Sequence, residues 1–343
     1  MQFGSQKPRR VGLVGAGWVT SYHLPAWQKL GDRVELVGIA DPAAGVAAAR
    51  AATFGIAAVY DTAEAMFAAA ELDVVDICAP REHHAALVQL AATYGVDILC
   101  QKPLAVTHSA ASMLVDGLQN SVRLMVHENW RFRAWYRRLK TWLNDGLAGE
   151  VRQVRLDFLS SGMILDTQGL RPALARQPFF ARQQRLLVME VLIHQLDTLR
   201  YLIGEMEVVA ARLERSNDDI VAEDIAAITL RRRVDGALVQ VTGNLATHGA
   251  PPAPRDQLRI IGSAGTLYLD GDTLTAHGSV TRTERFDADA TYQGSYDAAI
   301  AHFVDALDSG GPFETSPADN LETLRLVEDI YRLAAFDPDA KPR

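Results

Sequence analysis

The chain has 343 residues, 48% apolar and 22% charged, with a formal net charge of −8 and a pI near 5.6. That length accommodates two domains, and the acidic balance argues against nonspecific binding to nucleic acid or anionic membranes, which needs a basic face. With only two cysteines, Cys78 and Cys100, each closing an apolar run, a disulfide framework and a CxxC metal site are excluded.

From the N-terminus, "MQFGSQKPRR" lacks the apolar stretch of a signal peptide, and no window approaches the roughly 18 uninterrupted apolar residues of a membrane span. A cytoplasmic protein is expected. "RVGLVG" is a short strand, Trp18 to Leu30 is helical, and "RVELVGIA" is a strand ending at Asp41. "PAAGVAAARAATF" is an alanine-rich helix with proline in its first turn. "AVY" is a strand, "TAEAMFAAA" a helix opened by Thr62, "DVVDICAP" a strand, and "EHHAALVQLAATYG" a helix. Strand "VDILC", helix "THSAASMLVDGLQN" and strand "VRLMV" complete the first 126 residues. Strands alternating with helices at this spacing imply βαβ units and a parallel sheet, with Val/Ile/Leu-rich strands buried on both faces.

After Val126 the pattern changes. "RFRAWYRRLKTWLNDG" is an amphipathic helix closed by Gly146, and "EVRQVRLDFLS" alternates like a half-buried strand. A loop-rich region from Gly162 to Gln184 precedes one long apolar helix, "LLVMEVLIHQLDTLRYLIG", capped by Gly204. Alternating runs then read as an antiparallel meander with one wet face. Within them Arg231-Arg232-Arg233 reads as a solvated edge. Helices from Tyr296 to Leu307 and from Pro317 to Ala335 end the chain. The expected architecture is a Rossmann-type, doubly wound α/β domain over residues 1–126. An α+β domain with an open, mainly antiparallel sheet is expected over 127–343, its last helices packing back on the first domain.

Directly after the first strand comes Gly15-x-Gly17-x-x-Thr20. The first glycine permits a tight turn, the second a close backbone approach to a pyrophosphate, and the following helix N-terminus favours negative charge. Gly15, Gly17, Trp18 and Val19 are the expected phosphate-binding turn. Asp41, 26 positions after Gly15, ends the second strand, where a carboxylate accepts from ribose hydroxyls and repels a 2′-phosphate. NAD is therefore expected ahead of NADP, which stays possible. Asp41 also suits a helix N-cap. At the end of the fifth strand, Gln101-Lys102-Pro103 places an ammonium where a proline sets the direction of the chain.

Five segments together resemble the Gfo/Idh/MocA oxidoreductases: "VGLVGAGWVTSYHLPA", "VVDICAPREHHAALV", "ILCQKPLAVT", "HENWRFRAWYRRLK" and "EVLIHQLDTLRYLIG". The resemblance implies an NAD(P)-dependent enzyme that moves a hydride between nicotinamide and a secondary alcohol of a sugar, cyclitol or polyol. It implies that Lys102 polarises the reacting oxygen, that His194 is the general base, and that Glu190 stands where the family has aspartate. The i, i+4 spacing of Glu190 and His194 puts both on one helix face in any case. Asp197 is expected to orient or cap. Ala79, Pro80, His84 and Gln101 are expected beside the cofactor, and Trp130 and Arg131 on the substrate side. Gln101 replaces the family's usual glutamate. No metal site is expected, since His83-His84 and the scattered acids lack ligand spacing. A homodimer or homotetramer is expected, because a sheet with one bare face seeks a partner. Two alternatives stay open: a lyase, glycosidase or epimerase that retains its nicotinamide and oxidises transiently, and a non-catalytic nucleotide or sugar sensor.

Overall fold

The computed structural model describes residues 7–118 and 121–337. They form two compact units, one running through Phe132 with Gln293–Glu322, the other covering Arg133–Tyr292 and the chain from Thr323.

In the first unit, β1 (Arg9–Val14), β2 (Val34–Ala40), β3 (Ala58–Tyr60), β4 (Val74–Ile77), β5 (Asp97–Gln101) and β6 (Leu124–His127) form one parallel sheet in the order β3-β2-β1-β4-β5-β6. Between them run α1 (Thr20–Gln28), α2 (Ala44–Phe54), α3 (Ala63–Ala69), α4 (His84–Thr93) and α5 (His108–Leu118). All four residues of β4 and of β6 are buried, as a sheet covered on both faces requires. Thr62 opens α3 by accepting the Ala65 N–H at 3.1 Å. The strand order reverses beside β1, so the β1/β4 crevice at the carboxyl ends of the strands is where a sheet of this type binds ligands.

The second unit begins with α6 (Ala134–Asn144) and β7 (Val151–Leu159), followed by a loop with the short α7 (Pro172–Arg176). The expected long helix is two pieces, a π-helical segment at Leu187–Leu192 running into α8 (Ile193–Ile203). Next come β8 (Met206–Glu214), β9 (Ile225–Arg232), β10 (Leu238–Asn244), β11 (Arg255–Gly262), β12 (Gly265–Asp270), β13 (Thr273–Gly278) and β14 (Arg282–Arg285). The sheet order is β14-β13-β12-β11-β7-β10-β9-β8. Its pairs are antiparallel except β10 with β7, so the sheet is not a plain meander. After β7 and α8 the chain enters at β8 on the sheet edge and works back through β9 to β10, which lies beside β7 and parallel to it. Alternation leaves Val154, Leu156, Ile228, Val239, Val241, Leu258 and Ile260 buried on one face and the other face open.

Arg231 and Arg232 are not at an edge, since β9 lies between β8 and β10 and Arg231 pairs with Glu207 at 2.7 Å. The last helices are α9 (Ala288–Ser309), which starts well before Tyr296, and α10 (Pro317–Ala334). Gln293–Glu322 belongs to the first unit, where the Val126 N–H donates to Thr315 O and Arg123 donates to Ala306 O.

Candidate functional site

The turn after β1 is built tightly. Gly15 has φ +97°, and a Cβ there would lie 2.7 Å from the Cys78 carbonyl at the end of β4. Its N–H donates to Ala40 O at 2.8 Å. A Cβ on Gly17 would meet nothing within 4 Å, so the turn presents bare backbone there. Thr20, in place of a third glycine, is buried and donates its hydroxyl to Gly17 O at 2.7 Å. Trp18 is exposed and Val19 half-exposed beside it.

Asp41 locks onto this turn. One carboxylate oxygen accepts the Ala16 N–H at 2.7 Å, the other the Ala43 N–H at 2.8 Å. It does not cap α2, whose N-cap is Ala43. Each oxygen accepts one backbone donor, and a carboxylate has about four acceptor sites, so capacity for ribose hydroxyls remains. These residues fit the pyrophosphate and ribose of a dinucleotide.

Behind the turn lies a polar network that the sequence reading missed. Asp76 and His23 are fully buried. Asp76 accepts from His23 Nδ1 at 2.8 Å and Trp27 Nε1 at 2.7 Å, both on one oxygen. The Cys78 thiol donates to its other oxygen at 3.5 Å. His23, Asp76 and Cys78 cluster like metal ligands, yet their donor atoms already satisfy one another. Burial pushes both thiols, Cys78 and Cys100, well above the ordinary range. Gln101 completes the chain, its amide nitrogen lying 2.7 Å from His23 Nε2 and 3.0 Å from His127 Nδ1. The signal was a carboxylate at the centre of the apolar run "VVDIC", since a buried charge must be partnered.

His84 is buried, with ring nitrogens 2.7 Å from Pro103 O and 2.8 Å from Ala79 O. It thereby ties the loop after β4, with Ala79 and Pro80, to the Lys102–Pro103 turn, whose peptide bond is cis. Lys102 is half-buried. Gly15, Gly17, Asp41, Ala79, His84, Gln101 and Lys102 thus gather at the carboxyl ends of β1, β2, β4 and β5. Trp130 is half-buried beyond β6. Arg131 departs from the expected pocket role: its guanidinium is buried, paired with Asp319 at 2.7 Å and donating to Glu314 O at 3.1 Å. Its charge is neutralised in the interior of the unit.

In the second unit, Glu190 sits in the π segment and His194 in the first turn of α8, both half-buried. Single-turn π segments inside α-helices are frequent at functional sites. Gln195 donates to the buried Asp256 at 3.0 Å, and Asp197 accepts from Thr323 at 3.3 Å. These anchors fix the rotation of α8. Gly243 on β10 admits the π segment, because a Cβ there would lie 2.8 Å from Leu192.

The start of the π segment is held by Glu223, a residue with no sequence signal beyond being a charge beside an apolar run. Fully buried, it accepts from Leu186 N at 3.4 Å, Val188 N at 3.0 Å and the Tyr331 hydroxyl. Burial raises its carboxyl above the ordinary 4.5, and the donors from Tyr331, Val188 and Leu186 partly offset that. An acid raised in the folded state keeps a proton that the unfolded chain releases. Its stabilising contribution is complete below the unfolded value and is lost as pH rises toward the folded one. Urea unfolding of wild type and Glu223→Gln should therefore show wild type losing ground to the variant as pH rises above 4.5, then a plateau. A stability difference flat across that window would refute the burial effect.

The profile described as "Oxidoreductase family, NAD-binding Rossmann fold" matches residues 9–128, and the GFO/IDH/MocA C-terminal domain matches residues 136–268. A D-apiose dehydrogenase of Paraburkholderia graminis is 34% identical over 332 residues, covering 93% of this chain and 86% of the relative. An inositol 2-dehydrogenase of Rhizobium meliloti is 25% identical, covering 95% and 97%. An oxidoreductase from Agrobacterium radiobacter, solved with NAD+, L-tartaric acid and magnesium, has a TM-score of 0.88 at 31% identity, over 95% of this chain and 96% of that one. Fold and turn together define an NAD-binding oxidoreductase of the Rossmann type. The chain belongs to the Gfo/Idh/MocA family.

Proposed function

We propose that this protein is an NAD-dependent dehydrogenase that interconverts a secondary alcohol and its ketone on a sugar, cyclitol or related polyol. The observation that carries the reading is the turn after β1, with Gly15 forced against β4, Gly17 bare, and Asp41 fastened to Ala16. Gly15, Gly17, Trp18, Val19 and Asp41 hold the dinucleotide, with Ala79, Pro80 and His84 supporting its nicotinamide end. Bound there, nicotinamide supplies the hydride acceptor or donor. His194 takes the hydroxyl proton, a role suited to imidazole at neutral pH. The Lys102 ammonium hydrogen-bonds the reacting oxygen and stabilises charge that develops on it. Glu190 orients the imidazole, and Trp130 lines the substrate side. We assign the cofactor domain to residues 1–126 and the substrate domain to 127–343, with Gln293–Glu322 of the latter packed into the first unit.

Relatives named for D-apiose and inositol support a small polyhydroxylated substrate. No helix among the described residues is long and apolar enough to cross a membrane; we place the protein in the cytoplasm. The open sheet face in the second unit favours a homodimer or homotetramer, which light scattering at micromolar concentration tests, a monomer overturning it.

The test of function is a parallel titration with NADH and NADPH, followed by a turnover screen with D-apiose, myo-inositol and L-tartrate. NADH is expected to bind at least about tenfold more tightly. Asp41→Ala is expected to weaken NADH by about 10–100-fold, the worth of a charge-assisted hydrogen bond, and NADPH by less. Tighter NADPH binding would sink the role of Asp41. Failure to bind either nucleotide would sink the enzyme reading.

A further inference from the structure

We infer that Gln101 is a positioning residue whose amide fixes the tautomers of two histidines and so holds the strand end that presents Lys102. The functional part of this inference rests on the role proposed for Lys102.

The argument follows the protons along the network. Asp76 accepts from His23, so His23 carries its hydrogen on Nδ1 and presents a lone pair at Nε2. That lone pair needs a donor. An amide nitrogen has two hydrogens, and the Gln101 nitrogen lies within bonding distance of exposed lone pairs on two rings, 2.7 Å from His23 Nε2 and 3.0 Å from His127 Nδ1. His127 therefore carries its hydrogen on Nε2. The two rings hold opposite tautomers, and one amide joins them. The rings also pack together, with centroids 4.2 Å apart, and Tyr296 lies 5.4 Å from one and 5.3 Å from the other. The Gln101 amide is thus held between the two rings at the end of β5, one residue before Lys102.

A glutamine here supplies what an acid does not. A carboxylate of the same shape has no hydrogen to give, so it would face two lone pairs. His127 can answer by moving its hydrogen to Nδ1. His23 cannot, because its Nδ1–H is already committed to Asp76, so it must take up a proton and become an imidazolium between two carboxylates. The other titratable groups around the network are the thiols of Cys78 and Cys100 and the phenol of Tyr296. Glu128 and Lys102 are neighbours in sequence. Burial pushes both thiols up, which keeps them protonated.

The test has two arms. In the first, long-range proton–nitrogen correlation spectra are recorded on wild-type protein with 15N-labelled histidine, assigned with His23→Gln and His127→Gln. The expected result is an Nδ1–H tautomer for His23 and an Nε2–H tautomer for His127. The reverse assignment for either ring overturns the inference, whatever the substrate proves to be. In the second, the pH dependence of kcat/KM is compared for wild type and Gln101→Glu. A histidine near 6.5 is raised by about 1–3 units when flanked by opposite charge. The variant should therefore gain a limb, activity falling at least about tenfold as pH rises from roughly 6.5 to 9.5. A general base gives a limb of the opposite sense, so the two are separable. Superimposable profiles overturn the inference, and if the variant does not fold, the spectra of wild type decide.

Discussion

Replacing His194 with alanine is expected to lower kcat by about 10²–10⁴-fold, the usual worth of a positioned general base, with NADH affinity unchanged. The expectation combines chemistry with local structure. Oxidising an alcohol releases a hydride and a proton, and the proton needs a base that is free near neutral pH. His194 stands in the first turn of α8, half-buried, on a helix whose rotation is fixed from both sides. Gln195 is tied to Asp256 and Asp197 to Thr323, and Glu223 holds the π segment ahead of them. None of these anchors uses the His194 side chain, so the frame that holds α8 should survive the substitution. Steady-state kinetics with an NADH titration checks this, and added imidazole should restore part of the rate. A kcat within about threefold of wild type would remove His194 from the mechanism. Lys102→Ala is expected to cost about 10²–10³-fold, since it removes a donor to the charge-bearing oxygen.

Gly15→Ala should be the most damaging change in the cofactor turn, and it should act through folding. At φ +97° an L-residue is strained, by about 1–2 kcal/mol. The new Cβ would also press on the Cys78 carbonyl carbon and oxygen at 2.7 Å and on Ala79 N at 2.8 Å. These are backbone atoms of the neighbouring strand end, which cannot rotate away as a side chain can. Overpacking of this kind costs about 1–3 kcal/mol more. The sum is about 2–5 kcal/mol, a fall in Tm of roughly 5–15 °C for a unit of this size. NADH binding should fall with it. Gly17→Ala is the control, because its Cβ meets nothing within 4 Å. That variant should keep its Tm while NADH binding weakens, since the methyl fills space the pyrophosphate needs. Equal effects of the two substitutions on Tm would show that the contact with Cys78 does not govern the turn.

Much of this was legible in one dimension. A strand, a Gly-x-Gly turn, a helix and an acid at the next strand end is a local pattern, and local patterns survive folding. Near-continuous apolar strands announced a doubly covered parallel sheet, and alternating ones announced a sheet with a bare face. Less legible were residues whose meaning lies in a distant partner. Arg131 reads as a pocket cation beside Trp130, but its charge is matched by Asp319, 188 positions away. Arg231 reads as a solvated edge; it is exposed, but β8 pairs beside β9, so the strand is an inner one.

By itself, then, the sequence determined the two-layer alternation, the dinucleotide turn and the identity of Lys102 and His194 as candidates. The first two depend on period and short spacing, which the covalent chain dictates, and the candidates on the resemblance to the Gfo/Idh/MocA oxidoreductases. Only the tertiary structure decided how they are held. The π segment under Glu190 is met by Glu223, from the loop before β9, and by Gly243 on β10. The glutamine before Lys102 is explained by His23 and His127, brought to it from α1 and β6. A buried polar group takes its role from whichever partner satisfies it, and that partner is chosen by packing across the fold.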